Sequence, residues 1–161
     1  MNIEAQKEHK LLQKMIGEWT YEHKVIMEPG KPPTTLKGTD SVRSLGDLWV
    51  LCEGRGVMTE GGLVTSLMTL GYDPQKKRFV GTFIASMMTH LWIYEAGSLD
   101  SSGKALSLEA EGPSMASDGK MAKYKDVIEF KSDDHRMLRA FVLGDDGNWF
   151  EFMTSNYWRK K

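Results

Sequence analysis

The sequence predicts an all-β fold, an antiparallel up-and-down barrel of about ten strands behind a short N-terminal helix. Three observations carry that prediction. Turn chemistry recurs at short intervals along 161 residues: prolines with a preset φ, glycines able to take positive φ, and Asp, Asn and Ser side chains that bond their own backbone. The runs between these turns are rich in Val, Thr, Phe, Trp and Tyr, as strands are. No helical period lies between the runs, so there are no crossover helices to build a parallel sheet. Closing such a meander on itself removes its exposed edges.

Residues 3–16 carry one helical face of Leu12, Met15 and Ile16 with Glu8, and a second apolar edge at Ile3 and Leu11. Asn2 is the expected cap and Gly17 the expected stop. The period then changes to two. Trp19, Tyr21, His23, Val25 and Met27 alternate with Glu18, Thr20, Glu22, Lys24 and Glu28, which makes 18–28 a strand with one buried face, broken on its polar side only by Ile26. The remaining strands are expected at 34–45, 48–58, 63–72, 78–87, 89–97, 104–111, 121–131, 135–144 and 148–159. Ser86 to Thr89 reads as a tight turn in preference to a bend in one long strand. With the helix at 1–16 and barrel strands over 18–159, residues 1–161 form one domain, without repeats or linkers.

Lysine plus arginine number 21 against 22 aspartate plus glutamate, a net charge of -1 that supplies no reason to expect nucleic acid or an anionic membrane. No apolar run approaches the ~18 residues of a membrane span, and the charged N-terminus lacks the core of a signal peptide, so the expected location is the cytoplasm. The one cysteine, Cys52, is expected free and buried, and excludes an intramolecular disulfide or a cysteine zinc site. Four scattered histidines contain no close pair at ligand spacing, so no metal and no cofactor is expected.

Gly17-Glu18-Trp19 after a helix resembles the G-x-W start of the calycins, the lipocalin and fatty-acid-binding-protein group. That resemblance implies that Trp19 closes one barrel end beneath a basic side chain of the last strand, for which Arg159 is the candidate. Through EHKLLQKMIGEW, SVRSLGDLWV, TLGYDPQKKRFVGT, MMTHLWIYE, KYKDVIEF and EFM, nearly the whole chain resembles a family of small, mostly bacterial, lipocalin-like proteins catalogued as a domain of unknown function. It implies a calycin-like fold and brings no catalytic residues. Haem-binding calycins use an axial histidine, which matches none of these four by motif.

Strand parity names the candidate site. Tyr21 and His23 follow Trp19 inward; His90, Trp92 and Tyr94 share a face opposite Leu91 and Ile93; Tyr124, Asp126, Ile128 and Phe130 share another, opposite Lys123, Lys125, Glu129 and Lys131. A buried carboxylate needs a partner or a raised pKa. Arg139, grouped with Met137, Phe141 and Leu143, is the expected cation for Asp126, with His23 or His90 as alternatives; a purely structural Asp126–Arg139 pair is an equal reading.

The ligand-lining set is therefore Tyr21, His23, His90, Trp92, Tyr124, Asp126 and Arg139. Eleven methionines, among them Met68, Met87, Met88, Met115, Met137 and Met153, suit an adaptable pocket. Glu151 is ambiguous, because both faces of the last strand are apolar; the N-terminal helix or a second subunit would cover one of them, which leaves a homodimer open.

Nucleophile elbows, phosphate loops and dinucleotide fingerprints are absent. The expected function is binding of a small, largely apolar or aromatic molecule. An enzyme using Asp126 or His90 as acid or base, in an isomerase, cyclase or lyase type of reaction, is the alternative, followed by haem binding and a protein-interaction module.

Overall fold

Helix α1 (Lys7–Gln13) precedes ten strands: β1 (Gly17–Val25), β2 (Thr34–Leu45), β3 (Trp49–Val57), β4 (Leu63–Asp73), β5 (Arg78–Ala85), β6 (Trp92–Leu99), β7 (Ala105–Pro113), β8 (Met121–Ser132), β9 (His135–Leu143) and β10 (Trp149–Arg159). The structure, a computed structural model, describes residues 3–161. Each strand pairs antiparallel with its neighbours in sequence, and β10 pairs with β1 to close the barrel. The all-β barrel expected from turn spacing and period is thus the observed architecture. Ser86 to Leu91 connect β5 to β6, so this stretch is a turn and not one long strand.

The helix differs most from expectation. It begins at Lys7, and the expected cap, Asn2, lies outside the described residues. The Gln6 amide donates to His9 Nδ1, and His9 Nε2 donates to the Tyr72 carbonyl, which ties the first turn to β4. Three-residue hydrogen bonds from Lys14, Met15 and Ile16 tighten the chain after Gln13. Burial of Leu12 and Met15 contributes about 1.5–3 kcal/mol each, on which a seven-residue helix depends. Ile16, assigned to the same face, is exposed because the helix has already ended.

Gly17 therefore opens β1 and does not stop the helix. It has φ +136°, and a Cβ there would collide with the Arg159 guanidinium. That guanidinium takes the Ile16 and Lys14 carbonyls at 2.6 and 2.9 Å and lies 4.2 Å over the Trp19 ring. Trp19, 2% exposed, donates through Nε1 to the Met15 carbonyl at 2.9 Å. Helix, tryptophan and arginine together close one end of the barrel. Met27, expected inward, lies beyond the end of β1 and is exposed.

Strand period sets the interior, and three register shifts modify it: between Glu151 and Met153 on β10, opposite Phe79 to Gly81 on β6, and between Phe130 and Ser132 on β8. On β6, Glu95 and Ala96 both face outward, so Tyr94 and Gly97 both turn in. No helix among the described residues is long and apolar enough to cross a membrane.

Candidate functional site

Inside the barrel lies a cavity of about 640 Å³. Met15 bounds it near the helix end. Its other end reaches the loops after β5 and β7, where Met87, Met88 and Met115 both line it and are exposed, which marks the mouth. Met68 and Met153 also line it, whereas Met137 faces outward on β9 beside Arg139.

The wall near the mouth is aromatic. Trp92 stands edge-on to Tyr124 with centroids 4.8 Å apart, Tyr124 lies 6.1 Å from Phe152, and His90 stands 4.8 Å from Trp92. Gly112 makes the indole's position accessible, since a Cβ there would collide with it. His90 lies in the loop before β6 and not on a strand, yet it lines the cavity, held by a 2.9 Å bond from Nε2 to the Glu111 carbonyl. The Tyr124 hydroxyl donates to the Pro113 carbonyl at 2.6 Å.

Two carboxylates face inward. Asp126 sits on β8, with Leu108 and Ala140 as its neighbours across the sheet, and accepts a 2.5 Å hydrogen bond on Oδ2 from the Tyr94 hydroxyl. Burial pushes its carboxyl up to about 6, against a downward pull from that hydrogen bond; burial and the Asp126 charge hold the Tyr94 hydroxyl well above its ordinary value. Asp40, on β2, pairs with Arg136 of β9; each is about 5% exposed. Burial holds the Asp40 carboxyl above its ordinary value even though Arg136 draws it down. The guanidinium lies 4.1 Å over Tyr157 and 4.5 Å over Trp19.

Beside this pair, Tyr21 stacks on His23 with centroids 4.0 Å apart, and His23 Nδ1 bonds the Ser155 hydroxyl. Burial lowers His23 to about 4 and raises the Tyr21 and Cys52 groups to about 12, with the Asp40 charge adding to the rise in both. Cys52 is free and buried. No group of three His, Cys, Asp or Glu side chains is placed to hold a metal among the described residues.

The chain belongs to the DUF1579 family of proteins of unknown function, whose pattern matches residues 4–159. No curated protein matches its sequence. Among solved structures, this DUF1579 chain is similar to the S-type phycobiliprotein lyase CPES from Guillardia theta, with 12% identity, a TM-score of 0.66 and coverage of 98% of this chain and 99% of that one. It is also similar to Rv2717c from M. tuberculosis, at 10% identity, TM-score 0.63, covering 98% and 100% of the two chains. EF1p2_mFAP2b, solved bound to DFHBI, shares 12% identity at TM-score 0.52 over 96% and 100%. At these identities the likeness is one of fold.

Of the seven candidates named from the DUF1579 sequence, the structure brings Tyr21, His23, His90, Trp92, Tyr124 and Asp126 to one cavity. Arg139 is the exception. It faces outward, holding Glu151 in a two-pronged pair at 3.0 and 2.9 Å and Glu129 at 3.0 Å. The residue opposite Asp126 on β9 is Ala140, so the expected Asp126–Arg139 pair does not form, and Tyr94 takes the place of the expected cation. Parity inverted on β9 because both its faces are apolar: Leu138, Ala140 and Val142 turn inward with Arg136, while Met137, Phe141 and Leu143 turn outward. The outer face is not covered by α1, which packs on β3 and β4, and the aromatics of β10 at Trp149, Phe150 and Trp158 are exposed. Lys125 lies 4.5 Å over Trp149 and 5.2 Å over Phe141, its stem shielding the rings.

Sequence reasoning missed Asp40, Arg136 and Ser155. Asp40 sits on a strand with few large apolar residues, and Arg136 next to the Asp133-Asp134 turn looks like a solvated end. The available signal was the two-residue period of β2, which places Asp40 in line with Leu36 and Val42.

Proposed function

We propose that this barrel binds one small, largely apolar or aromatic molecule in its interior, with Tyr21, His23, His90, Trp92, Tyr124 and Asp126 as contacts. The observation that carries the reading is the cavity itself, about 640 Å³ within a closed barrel, apolar for most of its wall and supplied with a few fixed polar groups. Native-like packing leaves few voids, and a volume of this size is costly to keep unless it is used. Similarly folded barrels include one solved with a bound small molecule, DFHBI, and a phycobiliprotein lyase, so the architecture is compatible with an occupied interior. A calycin-like relationship accords with the G-x-W entry and its arginine.

The test is native mass spectrometry of protein purified from its own source, paired with titration by an uncharged apolar dye such as N-phenyl-1-naphthylamine. A mass excess lost on denaturation, or saturable dye uptake at one site per chain, supports the reading. An unliganded mass together with no dye uptake overturns it.

A second reading is an enzyme in which Asp126 acts as general acid or base. A carboxyl near pKa 6, held by a phenol and open to a cavity, is matched to proton transfer near neutral pH. Replacement Asp126→Asn would then abolish turnover of a substrate found by metabolite screening while leaving the fold intact; turnover unchanged by that replacement would remove Asp126 from the role.

A further inference from the structure

The charges lining the cavity narrow the kind of molecule that fits it, and the argument rests on the binding function proposed above. Asp40 and Arg136, which also line the cavity, cancel one another, and the guanidinium lies against Trp19 and Tyr157. His23 is bonded to Ser155 and neutral at physiological pH. His90 spends Nε2 on the Glu111 carbonyl. Asp126 stands apart from all of these.

One Asp126 oxygen, Oδ2, accepts from Tyr94, while Oδ1 has no protein donor among the described residues. Oδ1 is not sealed inside the protein either, since it keeps accessible surface. The residue is partly exposed, and it lines the cavity. An open carboxylate oxygen thus faces a largely apolar volume, where a charge-assisted hydrogen bond is strong and an unmet one expensive. The approach from the mouth passes Trp92, Tyr124 and Phe152, whose ring faces attract cations and accept flat apolar bodies.

We infer that the cavity takes a molecule with a protonated amine on an apolar or aromatic body, its ammonium donating to Asp126 Oδ1 and its body lying against Trp92, Tyr124 and Phe152. A ligand carboxylate placed there would meet like charge. A neutral hydroxyl could donate to Oδ1 but would leave the charge uncompensated. Arg136 offers an anion in the cavity no accessible donor, because Nη2 is paired with Asp40 and Nη1, though without a partner, is buried.

The experiment compares three probes of one shape on the intact protein at pH 7.5: 2-naphthylmethylamine, 2-naphthylmethanol and 2-naphthoate, followed by calorimetry. The amine is expected to bind at least tenfold more tightly than the alcohol, with the carboxylate weakest. Asp126→Asn should bring the amine's affinity to within about twofold of the alcohol's, with near-UV circular dichroism reporting that the barrel is intact. Equal affinity of alcohol and amine for the native protein overturns the inference even if the variant does not fold, and leaves the binding reading standing. Uptake of the apolar dye without binding of the amine does the same. Failure of all three probes and of the dye overturns the inference and the binding reading together.

Discussion

Asp40 and Asp126 are two inward carboxylates of one barrel with opposite arrangements around them. Asp40 lies toward the closed end and meets a guanidinium, itself stacked against two aromatic rings. Asp126 lies nearer the mouth and meets only a phenol. Arg136 is four residues along β9 from Ala140, the residue opposite Asp126, and so about 13 Å away along the strand, too far to serve both carboxylates. A buried carboxylate met by a counter-ion holds structure, whereas one met only by a phenol and open to a cavity has capacity for something else. The difference separates a structural ion pair from a candidate contact for a ligand.

The strongest way to break the comparison is at Arg136. Arg136→Met leaves Asp40 buried without its cation and should cost about 3–5 kcal/mol, lowering Tm by on the order of 10 °C. Replacing both partners, Asp40→Leu with Arg136→Met, should recover much of that loss, because no uncompensated charge remains. Thermal denaturation of the two variants checks the pair; a double variant no better than the single would place the cost in packing against Trp19 and Tyr157.

Asp126→Asn should act in the opposite direction. Its folded pKa is raised to about 6 from an ordinary 3.8, so the folded state holds the proton more tightly than the unfolded state. The favourable contribution is present in full below pH 3.8 and is lost as pH rises through 6; above that, the ionised carboxylate costs stability. The variant should therefore be more stable than the native protein by about 1–3 kcal/mol at pH 8, and near parity at pH 4. Tyr94, whose hydroxyl bonds Asp126, stays protonated across this range. Denaturant midpoints at the two pH values test the sign.

The smallest effect is expected on the outer face. Arg139 forms a better-satisfied set of ion pairs than Arg136, yet its side chain is 38% exposed and screened by water. Arg139→Ala should change stability by no more than about 1 kcal/mol. Equal costs at Arg136 and Arg139 would show that burial does not set the value of an ion pair in this barrel.

Nearly all of the strands were legible because turn residues and a period of two mark them locally. The end of the helix was not, since Arg159, 142 positions from Gly17 in the chain, decides how the residues after Gln13 are arranged. The inward face of β8 was legible from the contrast between Tyr124, Ile128 and the lysines opposite. On β9 the same rule selected the wrong face, because Lys125 and Arg139 lie over the outward ring of Phe141 and shield it. Polarity contrast reports orientation only where one face is wet. Tyr94 was placed correctly by period, but no sequence pattern could assign it to Asp126, 32 positions away.

The pairing of β1 with β10 also governs when this protein can first exist. Every other neighbouring pair joins strands that are consecutive in the chain and can form as a hairpin while synthesis proceeds. The closing seam joins Trp19 to Arg159, so the nascent sheet carries two open edges until the last strand leaves the ribosome. Its mouth-to-floor cavity is then an open trough with its aromatic and methionine lining in water. Aggregation should be greatest in that interval, and quenching of Trp19 as Arg159 arrives over its ring would time the moment at which the interval ends.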